Sequence, residues 1–134
     1  MKDQLEAVEK FHVAFGVGES PNEPTLIEFD DYILRHDLME EENGEYKKAC
    51  LDRDLVEIAD ALGDKLYILC GTILKHGMQH KIVEVFNEIQ ASNMSKLGED
   101  GKPILRSDGK ILKGKNYFKP KITEILGEES DVKA

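Results

Sequence analysis

The feature that most constrains the fold of this chain is an apolar repeat between residues 54 and 76. Apolar side chains recur there at intervals of three and four, which places them on one face of an α-helix. The members are Leu55, Ala59, Leu62, Leu66, Leu69 and Ile73. Lys75 and His76 suit the negative end of the helix dipole, and Gly77 suits a left-handed cap. A long helix with one apolar face must pack against other elements, so we expect a helical protein.

Two helices are predicted before this one. The first covers residues 3–15, with Asp3 as its cap, and its apolar stripe is formed by Leu5, Val8, Phe11 (or His12) and Phe15. The second begins at a capping box, Thr25-Leu-Ile-Glu28, and runs to about Ala49. It crosses Asn43-Gly44, a pair that usually indicates a turn, because acidic and apolar periodicity continue on both sides. Residues 51–53 are a predicted break.

The rest of the chain changes character after Ser92. A fourth helix is predicted over residues 80–90, with Ile82, Val85, Phe86 and Ile89 facing inward. Glycines then punctuate a polar stretch, and residues 104–112 predict a hairpin around Asp108-Gly109. Residues 118–126 add a last helical turn, and residues 127–134 are expected to fray. The sequence therefore predicts one all-α domain over residues 1–126, a four- to five-helix bundle with a short irregular or hairpin segment near its C-terminus.

Charge narrows the possible functions. The 134 residues carry a formal net charge of −9, which argues against a general affinity for nucleic acid, since that needs a basic face. Acidic residues concentrate in residues 37–64 and basic residues in residues 96–121, which suits a cation in one place and phosphates in another. Solvated helix faces and a flexible tail would also account for this distribution.

No apolar run approaches the roughly 20 residues that span a bilayer, and the charged N-terminus is no signal peptide, so we expect a cytoplasmic protein.

Two pairs of acids carry the candidate chemistry. Glu42 and Glu45 share one face of their helix, and Glu57 and Asp60 repeat that spacing on the next. Glu41 and Asp64 extend the two pairs by one turn. If the two helices pack antiparallel, the carboxylates converge, and a divalent cation would offset their repulsion. Oxygen ligands select Mg²⁺, with Mn²⁺ able to substitute. The alternative is that these acids only solvate helix surfaces.

The spacing of these acids resembles a known family. Glu41-Glu42-Asn-Gly-Glu45 fits EExxE and Glu57-Ile-Ala-Asp60 fits ExxD, as in the all-α nucleoside triphosphate pyrophosphohydrolase superfamily. Three further segments resemble its MazG-related, phosphoribosyl-ATP pyrophosphohydrolase-like branch. They are residues 60–77 (DALGDKLY followed by GT and HG), residues 92–96 (SNMSK) and residues 113–120 (KGKNYFKP).

The resemblance implies a function and a role for each site residue. It implies Mg²⁺-dependent cleavage between the α and β phosphates of a nucleoside triphosphate, giving a monophosphate and pyrophosphate, in a homodimer or homotetramer that removes unwanted nucleotides. The implied metal ligands are Glu42, Glu45, Glu57 and Asp60, and the implied catalytic acids are Glu41 and Asp64. The implied substrate-binding residues are Asn93, Lys96, Lys113, Lys115, Asn116 and Tyr117. The alternative for residues 113–120 is packing on a neighbouring subunit.

Two other functions stay open at this point. Within enzymes, the alternative is a narrow substrate, namely dUTP, dCTP or phosphoribosyl-ATP. Outside enzymes, the alternative is a regulatory protein that binds nucleotide or metal without turnover. The complete acidic set argues against the second alternative, because a binder has less need for every ligand.

Overall fold

The computed structural model describes residues 1–127 of the 134-residue chain. The predicted fraying of the tail therefore lies outside the described residues, except at Gly127. The chain divides into two compact units, Met1–His80 and a second that begins at Lys81. The described residues form five helices and one short antiparallel hairpin, so the predicted all-α class with a hairpin near the C-terminus is confirmed.

Three helices make up the first unit. They are α1 (Lys2–Ala14), α2 (Phe29–Leu51) and α3 (Leu55–Lys75), and α3 packs against both of the others. The buried apolar side chains come mainly from α1 and α3: Leu5, Val8, Ala61, Cys70, Ile73 and Leu74. From α2, only Arg35 and Ala49 are buried. The apolar core therefore joins α1 to α3, while α2 is held mostly by other contacts.

The beginning of α1 differs from the prediction. Asp3 does not cap the helix, because Met1 is the N-cap residue and no side chain bonds to the free N–H groups there. At the other end of the stripe, Phe15 is 71% exposed and Phe11 40%, whereas His12 is 5% exposed. The inward residue of this turn is thus the histidine, the second of the two predicted options.

The capping box predicted at Thr25 is wrong, since α2 begins four residues later, at Phe29. The Thr25 hydroxyl donates to the carbonyl of Leu26, and the Thr25 N–H donates to the carbonyl of His76 at 2.8 Å. Residues 25–28 are therefore tied to the end of α3, and this long-range bond prevails over a local cap. The prediction that α2 continues through Asn43 and Gly44 is confirmed.

The strongest predicted helix, α3, is confirmed at both ends. The Asp54 carboxylate caps it by accepting the N–H of Glu57 at 3.1 Å, and Gly77 follows it with a φ of 64°. Its apolar stripe is only partly buried. Ile73 is 8% exposed, but Leu55 is 78%, Leu62 51% and Leu69 42% exposed. Neither α1 nor α2 covers this part of α3, which keeps an apolar surface.

The second unit contains α4 (Ile82–Met94), a hairpin of β1 (Ile104–Leu105) and β2 (Ile111–Leu112), and α5 (Ile122–Leu126). The strands pair in the register Ile104 with Leu112 and Leu105 with Ile111. The predicted turn is confirmed, since Gly109 adopts a φ of 88° that an L side chain disfavours.

The helix α4 continues four residues past its predicted end at residue 90. Phe86, which was predicted to face inward, is 65% exposed, and Ile89 is 41% exposed. No helix among residues 1–127 is both long enough and apolar enough to cross a membrane.

Candidate active site

The acidic residues are brought together by the pairing of α2 with α3. At one point Arg35 of α2 donates to the carbonyl of Ile68 at 2.9 Å, and eight residues further along α2, Asn43 accepts from Lys65. Residue numbers rise along α2 while those of the bonded residues fall along α3, so the two helices are antiparallel. A short turn joins them, in which Arg53 adopts a left-handed φ of 55°. This pairing places EExxE opposite ExxD.

Glu42 lies at the centre of the acidic group. It is half-buried, and its pKa is raised above the usual value for a glutamate. The largest cause is partial burial, followed by the negative charges of Asp64, Glu41, Glu45 and Asp60, in that order. Four acids, two from each helix, therefore lie within electrostatic range of one carboxyl group, and Glu57 is not among them.

Glu57 lies at the other end of the row, near the turn between the helices. It belongs to the first turn of α3, where its N–H donates to the Asp54 cap at 3.1 Å. On α2, the pKa of Lys48 is raised first by the hydrogen bond to Asp52 at 2.7 Å and then by the charges of Asp52, Glu45 and Glu57. Glu45 thus lies within electrostatic range of both Glu42 and Lys48. The acids form a row along the α2–α3 contact, with Asp64 at one end and Glu57 at the other.

The donor set suits a hard cation, although the carboxylates do not surround a single point. Within residues 1–127, no three Asp, Glu, His or Cys side chains are close enough together to hold a metal ion. Carboxylates repel one another when no positive charge lies between them, so separated side chains are the expected arrangement of these side chains alone. All the candidate donors are carboxylate oxygens, which Mg²⁺ and Mn²⁺ prefer.

Sequence reasoning missed the cations that border this row. Lys48 of α2 pairs with Asp52 just after that helix, and Lys65 of α3 donates to Asn43 of α2. Arg35 is buried two turns before Glu42. In the sequence alone, a lysine that borders the acids looks the same as a solvated surface lysine. Arg35 did give a signal, because it interrupts the apolar residues of α2 between Leu34 and Leu38.

The predicted substrate-binding residues all belong to the second unit. The segment that follows α4 and the segment that follows β2 are joined by main-chain bonds: the Gly114 N–H donates to the Lys96 carbonyl at 2.9 Å. The Ser92 hydroxyl donates to the Phe118 carbonyl at 2.8 Å, and the Phe118 N–H donates to the Ser95 hydroxyl at 3.1 Å. A side chain at position 114 would collide with the main chain of Leu97. SNMSK and KGKNYFKP are therefore one packed structure.

The side chains on these segments offer positive charge and one aromatic ring. The Lys113 ammonium lies 4.8 Å from the centre of the Tyr117 ring, and Lys115 pairs with Glu99 at 3.2 Å. Asn93 lies in the last turn of α4, and Lys96 is half-buried just after it. Cations of this kind could contact phosphates. Packing on a neighbouring subunit stays the alternative prediction for residues 113–120.

Comparison with known proteins gives a family. Residues 8–93 match the phosphoribosyl-ATP pyrophosphohydrolase family. A crystal structure of a proposed NTP pyrophosphohydrolase from Exiguobacterium sp. 255-15 is similar over 98% of each chain, with 26% sequence identity and a TM-score of 0.46. No curated protein matches the sequence.

Proposed function

This chain belongs to the phosphoribosyl-ATP pyrophosphohydrolase family, and from that premise we propose that it is a Mg²⁺-dependent nucleoside triphosphate pyrophosphohydrolase. Membership indicates a hydrolase that acts on phosphoric anhydrides. In the proposed reaction, water is added across the anhydride between the α and β phosphates, which releases a nucleoside monophosphate and pyrophosphate. The observation that carries the proposal is the antiparallel pairing of α2 with α3, which places the acids of EExxE opposite those of ExxD.

The proposed roles follow from position in the row of acids along the α2–α3 contact. Glu42, Glu45, Glu57 and Asp60 would hold Mg²⁺, or Mn²⁺ in its place. When bound, the ion supplies positive charge that offsets the phosphates and makes a nearby water more acidic. Glu41 and Asp64 flank the ligands and would orient the attacking water and accept its proton. Orientation of this kind converts a reaction with bulk water into one with a positioned nucleophile.

The second unit would bind the nucleotide. Lys96, Lys113 and Lys115 would contact the phosphate chain, where ammonium groups stabilise charge that develops on the leaving pyrophosphate. Asn93 and Asn116 offer amide groups to the base or sugar, and the Tyr117 ring offers a surface for stacking. The ion pair between Lys115 and Glu99 would have to open for Lys115 to reach a phosphate.

A second copy of the chain is the proposed partner, as a homodimer or homotetramer. The support is the apolar surface of α3, where Leu55, Leu62 and Leu69 are exposed. Apolar patches of this kind on a folded protein commonly mark interaction sites. The formal charge of −9 gives no support for nucleic acid as a partner.

The substrate is tested with a panel of nucleotides. The protein is incubated with Mg²⁺ and with each common NTP and dNTP, dUTP, dCTP and phosphoribosyl-ATP, and the products are identified by anion-exchange chromatography. Monophosphate plus pyrophosphate from several triphosphates supports a broad role in removing unwanted nucleotides. Turnover of dUTP, dCTP or phosphoribosyl-ATP alone identifies a narrow enzyme. Release of single phosphates, or tight binding without turnover, would contradict the proposal.

The ligand assignment is tested with Glu42→Gln and Asp60→Asn. Each variant is expected to lose at least about 100-fold in kcat, the scale seen when one preorganised electrostatic group is removed from an active site. Without metal, Glu42→Gln should also unfold at a higher temperature than the wild type. The reason is that a carboxyl whose folded pKa is raised loses stability when it ionises, and glutamine removes that ionisation.

The matched control is Glu40→Gln. Glu40 is an exposed acid on α2 that lies 3.9 Å from the ring of His36. Its loss removes one negative charge from the same helix, and turnover should stay within about twofold of the wild type, as for a surface substitution. Full activity in Glu42→Gln would overturn the assignment.

A further inference from the structure

Arg35 is the one buried cation of α2, and it is held without a carboxylate. It is 7% exposed and forms no ion pair with any of residues 1–127 that the structure describes. Its Nε donates to the Thr72 hydroxyl at 3.1 Å and its Nη2 donates to the Ile68 carbonyl at 2.9 Å. A buried charge without a counter-ion is costly, and an apolar side chain would fill the same space at less cost. Stability alone therefore does not account for an arginine here.

The helices approach closely around the guanidinium. A Cβ at Gly71 of α3 would lie 2.6 Å from Nη2 of Arg35 and 3.0 Å from Nε2 of His12. A side chain at position 71 would therefore require the end of Arg35 or the ring of His12 to shift. His12 of α1, Arg35 of α2 and Gly71 of α3 thus meet at one point.

Other contacts of α2 are apolar, and Ile33, Leu38 and Met39 are half-buried in the helix. Of its 23 residues, only Arg35 and Ala49 are buried. Apolar contacts tolerate small shifts between helices, whereas a hydrogen bond weakens steeply when its distance or angle changes. The directed bonds between α2 and α3 are those of Arg35 and, eight residues further along α2, the bond between Asn43 and Lys65.

We propose that Arg35 is a positioning residue that fixes the register of α2 on α3 and so holds the two acidic pairs opposite each other. Glu42 lies two helical turns after Arg35 on α2, and Asp64 lies one turn before Ile68 on α3. A shift of α2 by one residue would turn Glu42 by about 100° away from Asp60 and Asp64. The inference rests on the proposed metal site, and it adds a residue that touches neither metal nor substrate.

The test separates register from stability with three variants. Arg35→Met keeps a long side chain but removes the charge and both bonds, Arg35→Lys keeps the charge, and Val8→Ala opens a space in the contact of α1 with α3. Mn²⁺ binding is measured by electron paramagnetic resonance, and thermal unfolding is followed without metal. Turnover against Mg²⁺ concentration is recorded for the same samples.

Arg35→Met is expected to bind Mn²⁺ at least about tenfold more weakly, as when a residue that orients metal ligands is lost. Its thermal midpoint should stay within a few degrees of the wild type, because removal of a buried charge offsets the lost bonds. Val8→Ala should lower the midpoint by about 5 °C while its affinity for Mn²⁺ is unchanged. Arg35→Lys should recover part of the affinity.

Wild-type affinity for Mn²⁺ in Arg35→Met would overturn the inference, and so would an equal loss of affinity in Val8→Ala. If Arg35→Met does not fold, Thr72→Val replaces it, because this change removes only the hydroxyl that accepts from Nε of Arg35. An unchanged affinity of Thr72→Val for Mn²⁺ would then overturn the inference. A wild type that binds Mn²⁺ but hydrolyses no nucleotide contradicts the proposed function and leaves the role of Arg35 standing. A wild type that binds no Mn²⁺ overturns both.

Discussion

His12 shows how one buried residue links stability to pH. The residue is 5% exposed, and its pKa is lowered first by burial and then by the positive charges of Arg35 and Lys75, with Glu9 acting in the opposite direction. Burial and the nearby cations therefore favour the neutral form of His12 in the folded protein.

Because the folded pKa of His12 is below that of the unfolded chain, the unfolded chain takes up the proton first as pH falls. Stability from this residue is complete well above pH 6.5 and is lost as pH drops below about 6.5, with a slope of at most about 1.4 kcal/mol per pH unit. Urea unfolding at a series of pH values should show this decrease in the wild type, and His12→Gln should lack it.

His36 is the control for this prediction, because its pKa is shifted upward, first by the hydrogen bond to Asp37 at 3.0 Å. Its contribution is present at low pH and is lost as pH rises. The difference between wild type and His36→Gln should therefore change with pH in the opposite sense. Parallel pH profiles of the wild type and His12→Gln would contradict the assignment of His12.

At the scale of elements, periodicity predicted which segments are helical, but it did not predict every helix end. The interior of α3 follows from local periodicity. Its Asp54 cap was not predicted, although it is also a local feature, because the capping bond joins residues three apart. The start of α2 does not follow from local sequence, because Thr25 bonds to His76, 51 residues away. Local pattern contains no information about that partner. The same limit explains why His12 could not be separated from Phe11 as the inward residue of α1.

The two caps give a paired test of this difference. Asp54→Ala is expected to lower the free energy of unfolding by about 1 kcal/mol, because the N–H of Glu57 loses its acceptor. Thr25→Ala should cost less than about 0.5 kcal/mol, since the Thr25 hydroxyl bonds only to its neighbour Leu26 and caps no helix. Chemical denaturation of both variants measures the two values. An equal loss in both would mean that the capping box at Thr25 does form.

At the scale of the whole molecule, the sequence predicted that EExxE and ExxD lie opposite each other, because the two motifs are on consecutive helices. The roles of these acids as metal ligands stay a prediction. What the sequence did not predict was how much of α3 would be uncovered. An apolar stripe looks the same in sequence whether its cover comes from the same chain or from another. Only the structure shows that Leu62 and Leu69 are exposed.

That exposed stripe leads to a prediction about assembly. A charged residue in place of Leu69 is expected to be tolerated in the folded chain, where the side chain is 42% exposed, but not in an apolar contact between two copies. The wild type should therefore have a solution mass that is a multiple of 15.1 kDa, and Leu69→Glu should shift it towards 15.1 kDa. Size-exclusion chromatography with light scattering measures both masses.

Leu26→Glu is the matched control, because Leu26 is 92% exposed in the extended segment before α2 and is not part of α3. It introduces the same charge and should leave the mass unchanged. A wild type that stays at 15.1 kDa at all concentrations, or an oligomer that Leu69→Glu does not weaken, would remove self-association through α3. Since α3 also provides Glu57 and Asp60, a loss of turnover together with dissociation would show that the assembled form is needed to hold the acidic row in place.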